Sequence, residues 1–499
     1  MSLLHMEKRV CIIGAGVSGI SALKSCLEEG LEPVCYESQN HIGGLWNYKP
    51  CERDQDQKGA RLYESLITNV SKEASCFSDF PYPQHYTPFF NHTKLFEYLK
   101  NYVAHFDLEK YITFNTKVTN VEEQESQKSA HTRRWKITTM NMNTLSEKVS
   151  EFDSIIVCVG ANSRAKMPNI DGLSTFKGIV LHSREFDTPA PFKGKKVVVI
   201  GFGNSGADIA VDISRVADPA IISSPTGSWI NPRVSQGGLP RDMVGRSRLG
   251  MFLKTFLPKS WRDWMARRRM NEGINHITLG IEPNEHNFSG KIIMKPGIVK
   301  IAEDSIHFSD GTTERADVII CCVGYSSYFP FISDDILPDD RSKLKLFEWM
   351  FPYELSDPSS LAVAGLLPGL IGSILPPVEC QTRYIAQIMS GIRKLPSVGE
   401  MRKTFERQRR AFSGEGDSFV FRVTPGFSYQ DRIAKLGGFY PAFWKLFIRS
   451  PRLAVAVYTS PYMSYHYRLL GRHQWKDAEN RIVNAIPNTL FYAIAKKSD

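Results

Sequence analysis

The sequence has no Cys-x-x-Cys pair, so the redox dithiol of a flavin disulfide reductase is missing. Its nine cysteines are scattered and odd in number, the usage of a reducing compartment. No Cys/His cluster has zinc spacing and no RNA-binding module is recognisable, so neither a metal site nor nucleic-acid binding is indicated. Met1 to Arg9 run into an apolar strand without a stretch of signal-peptide length. The longer uncharged window from Pro358 to Val378 is broken by Pro368, Gly369, Gly372, Pro376 and Pro377. It reads as a buried strand, a turn and a helix start near Pro377, whereas a spanning helix needs about 20 continuous residues. The final run, Leu490 to Asp499, is too short to cross a bilayer, and no tandem repeat or low-complexity tract occurs.

Two glycine-rich loops stand out instead. Val10 to Ile13 lead into Gly14, Ala15, Gly16, Val17, Ser18 and Gly19, and Val197 to Ile200 lead into Gly201-Phe-Gly203-Asn-Ser205-Gly206-Ala207-Asp208. Each follows an apolar strand and opens a helix. The first glycine permits the tight turn, and the second lets backbone approach a pyrophosphate seated on the helix N-terminus. Two such loops in strand–turn–helix context argue for two dinucleotides in one enzyme. At the end of the next strand the first unit reaches Glu37, a carboxylate suited to a ribose diol, as in FAD or NAD. The same offset from Gly201 reaches Ser224, with Ser223 and Thr226 beside it and no acid. The first loop therefore reads as an FAD site and the second as an NADPH site. The competing reading makes one loop a purely structural turn.

At 499 residues the chain has room for two or three domains. Phe152 to Gly160 echoes Ala316 to Gly324: an acid, a buried strand, a glycine. The fold class expected is α/β, with two Rossmann-like domains and the NADPH domain inserted into a discontinuous FAD domain. The boundaries expected are 1–163 and 317–440 for the FAD domain, 164–316 for the NADPH domain and 441–499 for an aromatic, basic C-terminal region. Gln124 to Glu151 alternates around Trp135 like a small antiparallel excursion. The net charge of +10 suits anionic cofactors or a lipid surface. Met251 to Met270 and Gly437 to Tyr467 interleave aromatics with cations, as interfacial helices do; ordinary solvated helices are the alternative.

Phe176-Lys-Gly-Ile-Val-Leu-His-Ser-Arg-Glu-Phe186 matches Phe-x-Gly-x-x-x-His-x-x-x-Phe/Tyr, the fingerprint of class B flavoprotein monooxygenases. Combined with both loops, Thr68 to Pro81, Gly43-Gly-Leu-Trp46, Pro377 to Arg383 and Tyr465 to Gly471, it makes the chain resemble the eukaryotic flavin-containing monooxygenases over almost its whole length. The resemblance implies FAD and NADPH as cofactors, dioxygen as co-substrate, and oxygenation of soft nitrogen or sulfur nucleophiles through a flavin hydroperoxide. It implies Asn69 as the catalytic residue and adds Leu45, Trp46, Thr68 and Val70 to the cofactor contacts. Asn69 can also be read as an Asx-turn residue, and His182 as a proton shuttle or a junction residue satisfied by backbone. Phe186 where tryptophan would stand points away from the classical Baeyer–Villiger branch. Pro225 stands where the family places an arginine on the 2′-phosphate; Arg233 is the nearby substitute. The stretch Glu285 to Lys295 looks shortened, and the family's long hydrophobic C-terminal anchor is lacking. The expectation is monotopic contact with the cytosolic face of the endoplasmic reticulum, with a cytoplasmic protein as the alternative. Oligomeric state is left open, a homodimer included. Rival functions are an NADPH oxidase releasing hydrogen peroxide, Baeyer–Villiger oxygenation of ketones, and a non-catalytic flavin-binding module.

Overall fold

Strand Arg9–Ile13 is the middle of a five-stranded parallel sheet ordered Leu361–Val363, Ser154–Val157, Arg9–Ile13, Glu32–Tyr36, Ile112–Thr113. The computed structural model describes residues 8–50, 59–124, 134–227, 230, 232–235, 238–244, 247–270, 292–340, 342–367, 370–413 and 424–486. Val10, Cys11 and Ile12 are all fully buried, because a parallel sheet covered on both faces has no wet side to alternate toward. Helix Val17–Glu28 follows the first loop and packs along helix Leu375–Met389, with Ser21 Oγ and Thr382 Oγ1 2.8 Å apart. The two ends of the chain thus close one unit. Pro376 and Pro377 lie in the first turn of the later helix, where a missing N–H costs little.

A second parallel sheet runs Ile292–Lys295, Ala220–Ser223, Val197–Ile200, Val318–Cys321, Ile179–His182. The sequence echo has a structural counterpart. Strand Ser154–Val157 lies beside the first loop's strand and Val318–Cys321 beside the second's. The echoed acids start the pairing in the same way: Asp153 Oδ2 accepts from Arg9 N at 2.7 Å, and Asp317 Oδ2 from Lys196 N at 2.8 Å. The alternating stretch is antiparallel as expected, Thr116–Glu123, Trp135–Asn141 and Glu147–Phe152, with Trp135 fully buried.

Two expected boundaries move. Strand Val318–Cys321 belongs to the second sheet, so that unit runs past Ala316; the echo is the strand beside the loop strand in its own sheet, not a return to the first. The crossings themselves lie at Arg164–Ala165 and Tyr325–Ser326, which pair antiparallel. Nor do the residues from 441 stand apart. Leu446, Leu453, Val457, Tyr465 and Ala478 share one core with Val10 and Ile12, because the C-terminal helices are needed to cover the first sheet's helical layer.

The two aromatic, basic segments adjoin. Helix Arg248–Lys254 packs against Pro451–Thr459, which packs against Phe443–Arg449. Phe252, Phe256, Trp261, Trp264, Trp444 and Ile448 stay exposed, Ile448 by 85%. Exposed Lys259, Arg262, Arg267, Arg268, Lys445 and Arg452 stand among them.

Candidate functional site

The two glycine loops repeat the same construction. Gly14 and Gly201 sit at φ +99° and +103°, where a side chain would also press on Cys158 O at 2.9 Å and Cys322 O at 2.6 Å. At Gly19 and Gly206 a Cβ would lie 1.8 Å and 2.0 Å from the oxygens of Gly14 and Gly201, so only glycine lets each helix settle on its loop. Gly16 and Gly203 are different. A Cβ on Gly16 would find only Gly44 backbone, at 3.8 Å or more, and one on Gly203 nothing within 4 Å. Neither helix has a side-chain cap at these positions, which leaves first-turn amides for an anion. Both loops therefore fit a pyrophosphate by shape and by polarity.

Around the first loop, Gly43 N donates to Ala15 O at 3.0 Å and holds the Gly44–Trp46 turn over it. Leu45 is exposed there and Trp46 packs on the core. Val17 and Ser18 are buried in the first helical turn, Ser18 Oγ directly under Gly365. Glu37 is buried at the strand end; Oε2 accepts from Ala15 N at 2.7 Å and Oε1 from Gln39 N at 2.9 Å. The carboxylate so fastens the loop to the strand; Ser38 Oγ also donates to Oε1, at 3.2 Å, and Oε2 keeps a lone pair for a diol.

Around the second loop, Ser205 and Ala207 lie half-buried in the first turn. Asp208 does not turn to that loop. Its Oδ2 accepts from Tyr63 OH at 2.7 Å, across the junction of the two units. Ser224 is buried and its hydroxyl donates to Gly227 O at 3.5 Å; Ser223 Oγ donates to Pro296 O at 2.7 Å. Of the three hydroxyls only Thr226 is exposed, next to exposed Pro225. Arg233 is no substitute clamp: its Nε donates to Thr68 O at 3.1 Å and its Nη2 to Ile67 O at 3.4 Å, which commits the guanidinium to the first unit's backbone.

Asn69 lies where these two units meet. Thr68 N donates to Phe90 O at 2.9 Å and Thr68 Oγ1 accepts from Phe90 N at 3.2 Å, fixing the residue before it. Asn69 is exposed and Val70 half-buried. The Asx-turn alternative asks the side chain to accept from Ser71 N, but that amide donates to Asp242 Oδ2 at 2.7 Å. Among the described residues the Asn69 side chain has no hydrogen-bond partner. His182 is buried and caps the turn after its strand: Nδ1 accepts from Arg184 N at 3.2 Å, so Nε2–H faces Gly324 O at 3.3 Å. Burial holds its pKa below the usual value. A neutral ring with both nitrogens on backbone fits the junction-residue reading; its Nδ1 also lies 3.5 Å from Ser183 Oγ, which is 3.4 Å from Tyr325 OH. The described cysteines are all free thiols; burial pushes Cys321 up to about 11.

Sequence reasoning missed Tyr63, Ser65, Asp212 and Asp242, which join the Asn69 segment to the second unit. The shortened stretch near Glu285 and the tail from Leu490 lie outside the described residues, apart from Ile292–Lys295.

A model of the flavin-binding monooxygenase-like family matches residues 7–493. Dimethylaniline monooxygenase (N-oxide-forming) 2 of Pan troglodytes is 38% identical over 96% of this chain and 91% of its own. Flavin-containing monooxygenase 3 of Rattus norvegicus is 37% identical over 96% and 92%. Among solved structures, the S-allyl-L-cysteine S-oxygenase of Allium sativum superposes with TM-score 0.67 at 22% identity, covering 98% of this chain and 99% of its own. Cyclohexanone monooxygenase of Rhodococcus sp. Phi1 bound to NADP⁺ gives 0.56 at 15%, covering 87% and 98%. At those identities the structures speak for the fold, two dinucleotide-binding domains.

Proposed function

Because the chain belongs to the flavin-binding monooxygenase-like family, we propose that its loops hold FAD and NADPH in that order and that Asn69 works between them. The protein is an NADPH-dependent flavin-containing monooxygenase. It takes FAD and NADPH as cofactors and dioxygen as co-substrate, and oxygenates small molecules bearing a soft nitrogen or sulfur nucleophile. When bound, the flavin reduced by NADPH supplies the activation of dioxygen.

The protein's own residues do the rest. Gly14, Gly16 and Gly19 open the first helix to the FAD pyrophosphate, and Glu37 takes the ribose diol while it braces Ala15. Gly201, Gly203 and Gly206 repeat the cradle for NADPH, and Thr226 is the hydroxyl nearest to the site of a 2′-phosphate. Asn69 donates its amide N–H and offers its carbonyl at the meeting of the two cofactors, held in place through Thr68. The single observation that carries this assignment is the asymmetry of otherwise matched loops: a buried carboxylate after one second strand and none after the other. The test is single turnover after anaerobic reduction by NADPH, with oxygen added beside a thioether or a tertiary amine. One product oxygen per NADPH is expected. Asn69→Leu should keep its flavin and release hydrogen peroxide in place of product; unchanged coupling would return Asn69 to a turn residue, and hydrogen peroxide from the native enzyme would make it an oxidase.

The adjoining aromatic, basic helices support a second element of the proposal, monotopic contact with the cytosolic face of the endoplasmic reticulum membrane. Among the described residues no helix is long and apolar enough to cross a membrane. Interfacial aromatics over anionic headgroups fit what those helices expose.

A further inference from the structure

The stretch from Tyr63 to Ser71, which carries Asn69, is held on one side by its own unit. Thr68 pairs with Phe90, and His92 N donates to Leu66 O at 3.2 Å. On the other side the second unit holds it at four places. Tyr63 OH donates to Asp208 and Ser65 Oγ to Asp212. Those acids are one turn apart on one face of helix Asn204–Ile213, whose N-terminus is the second pyrophosphate cradle. Arg233 donates to the carbonyls of Thr68 and Ile67, and Asp242 accepts from Ser71 N. Both lie later in the same unit than Ser224 and Thr226. Tyr63 is buried, in edge-to-face contact with Phe186 at 6.1 Å, so its hydroxyl has a fixed aim.

We propose that Tyr63–Asp208, Ser65–Asp212, Arg233–Thr68 and Ser71–Asp242 form a latch through which nucleotide at the second loop positions Asn69. Helix Asn204–Ile213, whose N-terminus is the cradle, also grips the Asn69 segment through Asp208 and Asp212. Ordering that helix on binding therefore orders the segment, and by linkage a loosened segment weakens nucleotide binding by the same factor. Asp208 and Arg233 act here as positioning residues: their side chains are spent on Tyr63 and on Thr68, so they serve the chemistry through Asn69. The functional consequence rests on the proposed role of Asn69; the mechanical link does not.

Hydrogen exchange on the FAD-loaded enzyme separates the two. In the native protein, saturating NADP⁺ should slow exchange of the Thr68 and Ser71 amides about fivefold or more, the lower end of typical allosteric coupling. Tyr63→Phe deletes one hydroxyl and keeps the ring; Ser65→Ala is the gentler second variant. Each should lose part of that added protection, weaken NADP⁺ binding measured by titration, and raise hydrogen peroxide released per NADPH, while flavin content stays full. In an Asp208→Ala background, which removes the acceptor, Tyr63→Phe should cost nothing further. Equal NADP⁺-induced protection in native and variant proteins, or none in the native protein, would overturn the latch. Normal coupling in Asn69→Leu with latch-dependent protection intact would overturn the role of Asn69 and leave the latch standing.

Discussion

At Gly16 the backbone has φ −71°, which any residue adopts, and a methyl there would meet no protein atom closer than 3.8 Å. Gly16→Ala should therefore fold as the native apoprotein does and purify largely colourless, because the methyl fills the volume the pyrophosphate needs. Visible absorbance per protein, with circular dichroism of both apoproteins, checks it; full flavin occupancy would remove the FAD assignment of the first loop. Gly19→Ala, 1.8 Å from Gly14 O, should fail by misfolding instead. Pro225 is exposed beside Thr226, and Arg233 is committed to Thr68. Pro225→Arg should raise the NADPH preference by about 1–3 kcal/mol, roughly fivefold to 150-fold in the ratio of kcat/KM values. Steady-state kinetics with NADPH and NADH measures it. Glu37 was legible from its count after Gly14, since the strand and helix between them have set lengths. Tyr63 with Asp208 was not, because nothing local in either residue's neighbourhood encodes a partner in another domain.

Elements were more legible than their meetings. The strand–glycine–helix units, the antiparallel excursion around Trp135 and the helix entered through Pro376 and Pro377 all follow from local pattern. The contact of helix Arg248–Lys254 with Pro451–Thr459 does not, because long-range packing sets it. The surface it creates is cationic and aromatic at once, so its hold on a bilayer has a part that salt screens and a part that it does not. High salt should release the enzyme only partly from anionic liposomes, and mild detergent fully. Trp444→Ala with Ile448→Ser should raise the fraction freed by salt, and no liposome affinity at low salt would sink the membrane assignment. That surface is bolted inward by Arg248, whose Nη1 lies 2.6 Å from His466 Nδ1 and whose Nη2 lies 2.8 Å from Asp431 Oδ1. Burial and the guanidinium push the His466 pKa well below its usual value. Its folded form stays neutral while the unfolded chain takes up a proton, so stability falls as pH drops below about 6.5, by up to about 1.4 kcal/mol per pH unit. Thermal midpoints at pH 7.5 and 5.5 should differ less in His466→Gln than in the native enzyme.

Across the whole molecule one buried guanidinium joins the chain's ends. Arg468 is 1% exposed and reaches Glu28 at 3.0 Å, Asp79 at 2.9 Å and Glu379 at 3.0 Å, on the FAD-loop helix, the segment beyond Asn69 and the C-terminal helix. Burial alone would raise the Glu28 pKa, but Arg468 and Lys24 hold it down to about 2. Arg468→Ala leaves Glu28 and Asp79 to share Lys24 and takes from Glu379 its ion-pair partner, and should cost about 3–5 kcal/mol, read by denaturant melts of the flavin-loaded enzyme. Arg468→Lys, which keeps the charge without the fork, should recover part of it. The α/β class with two Rossmann domains was legible from the doubled loops. The second sheet's claim on Val318–Cys321 was not, since an echoed strand looks the same whichever sheet receives it. At Arg164–Ala165 and Tyr325–Ser326 the chain leaves and re-enters the first unit through two strands zipped side by side. Because the insert is folded as its own sheet with its two ends side by side, it closes for that unit like a short turn and not like a long loop. The insert is therefore a cassette with fixed sockets: a homologous dinucleotide unit placed between Ala165 and Tyr325 has to keep partners for Tyr63, Ser65, Ser71 and Asp431 if the half that receives it is to stay as it is.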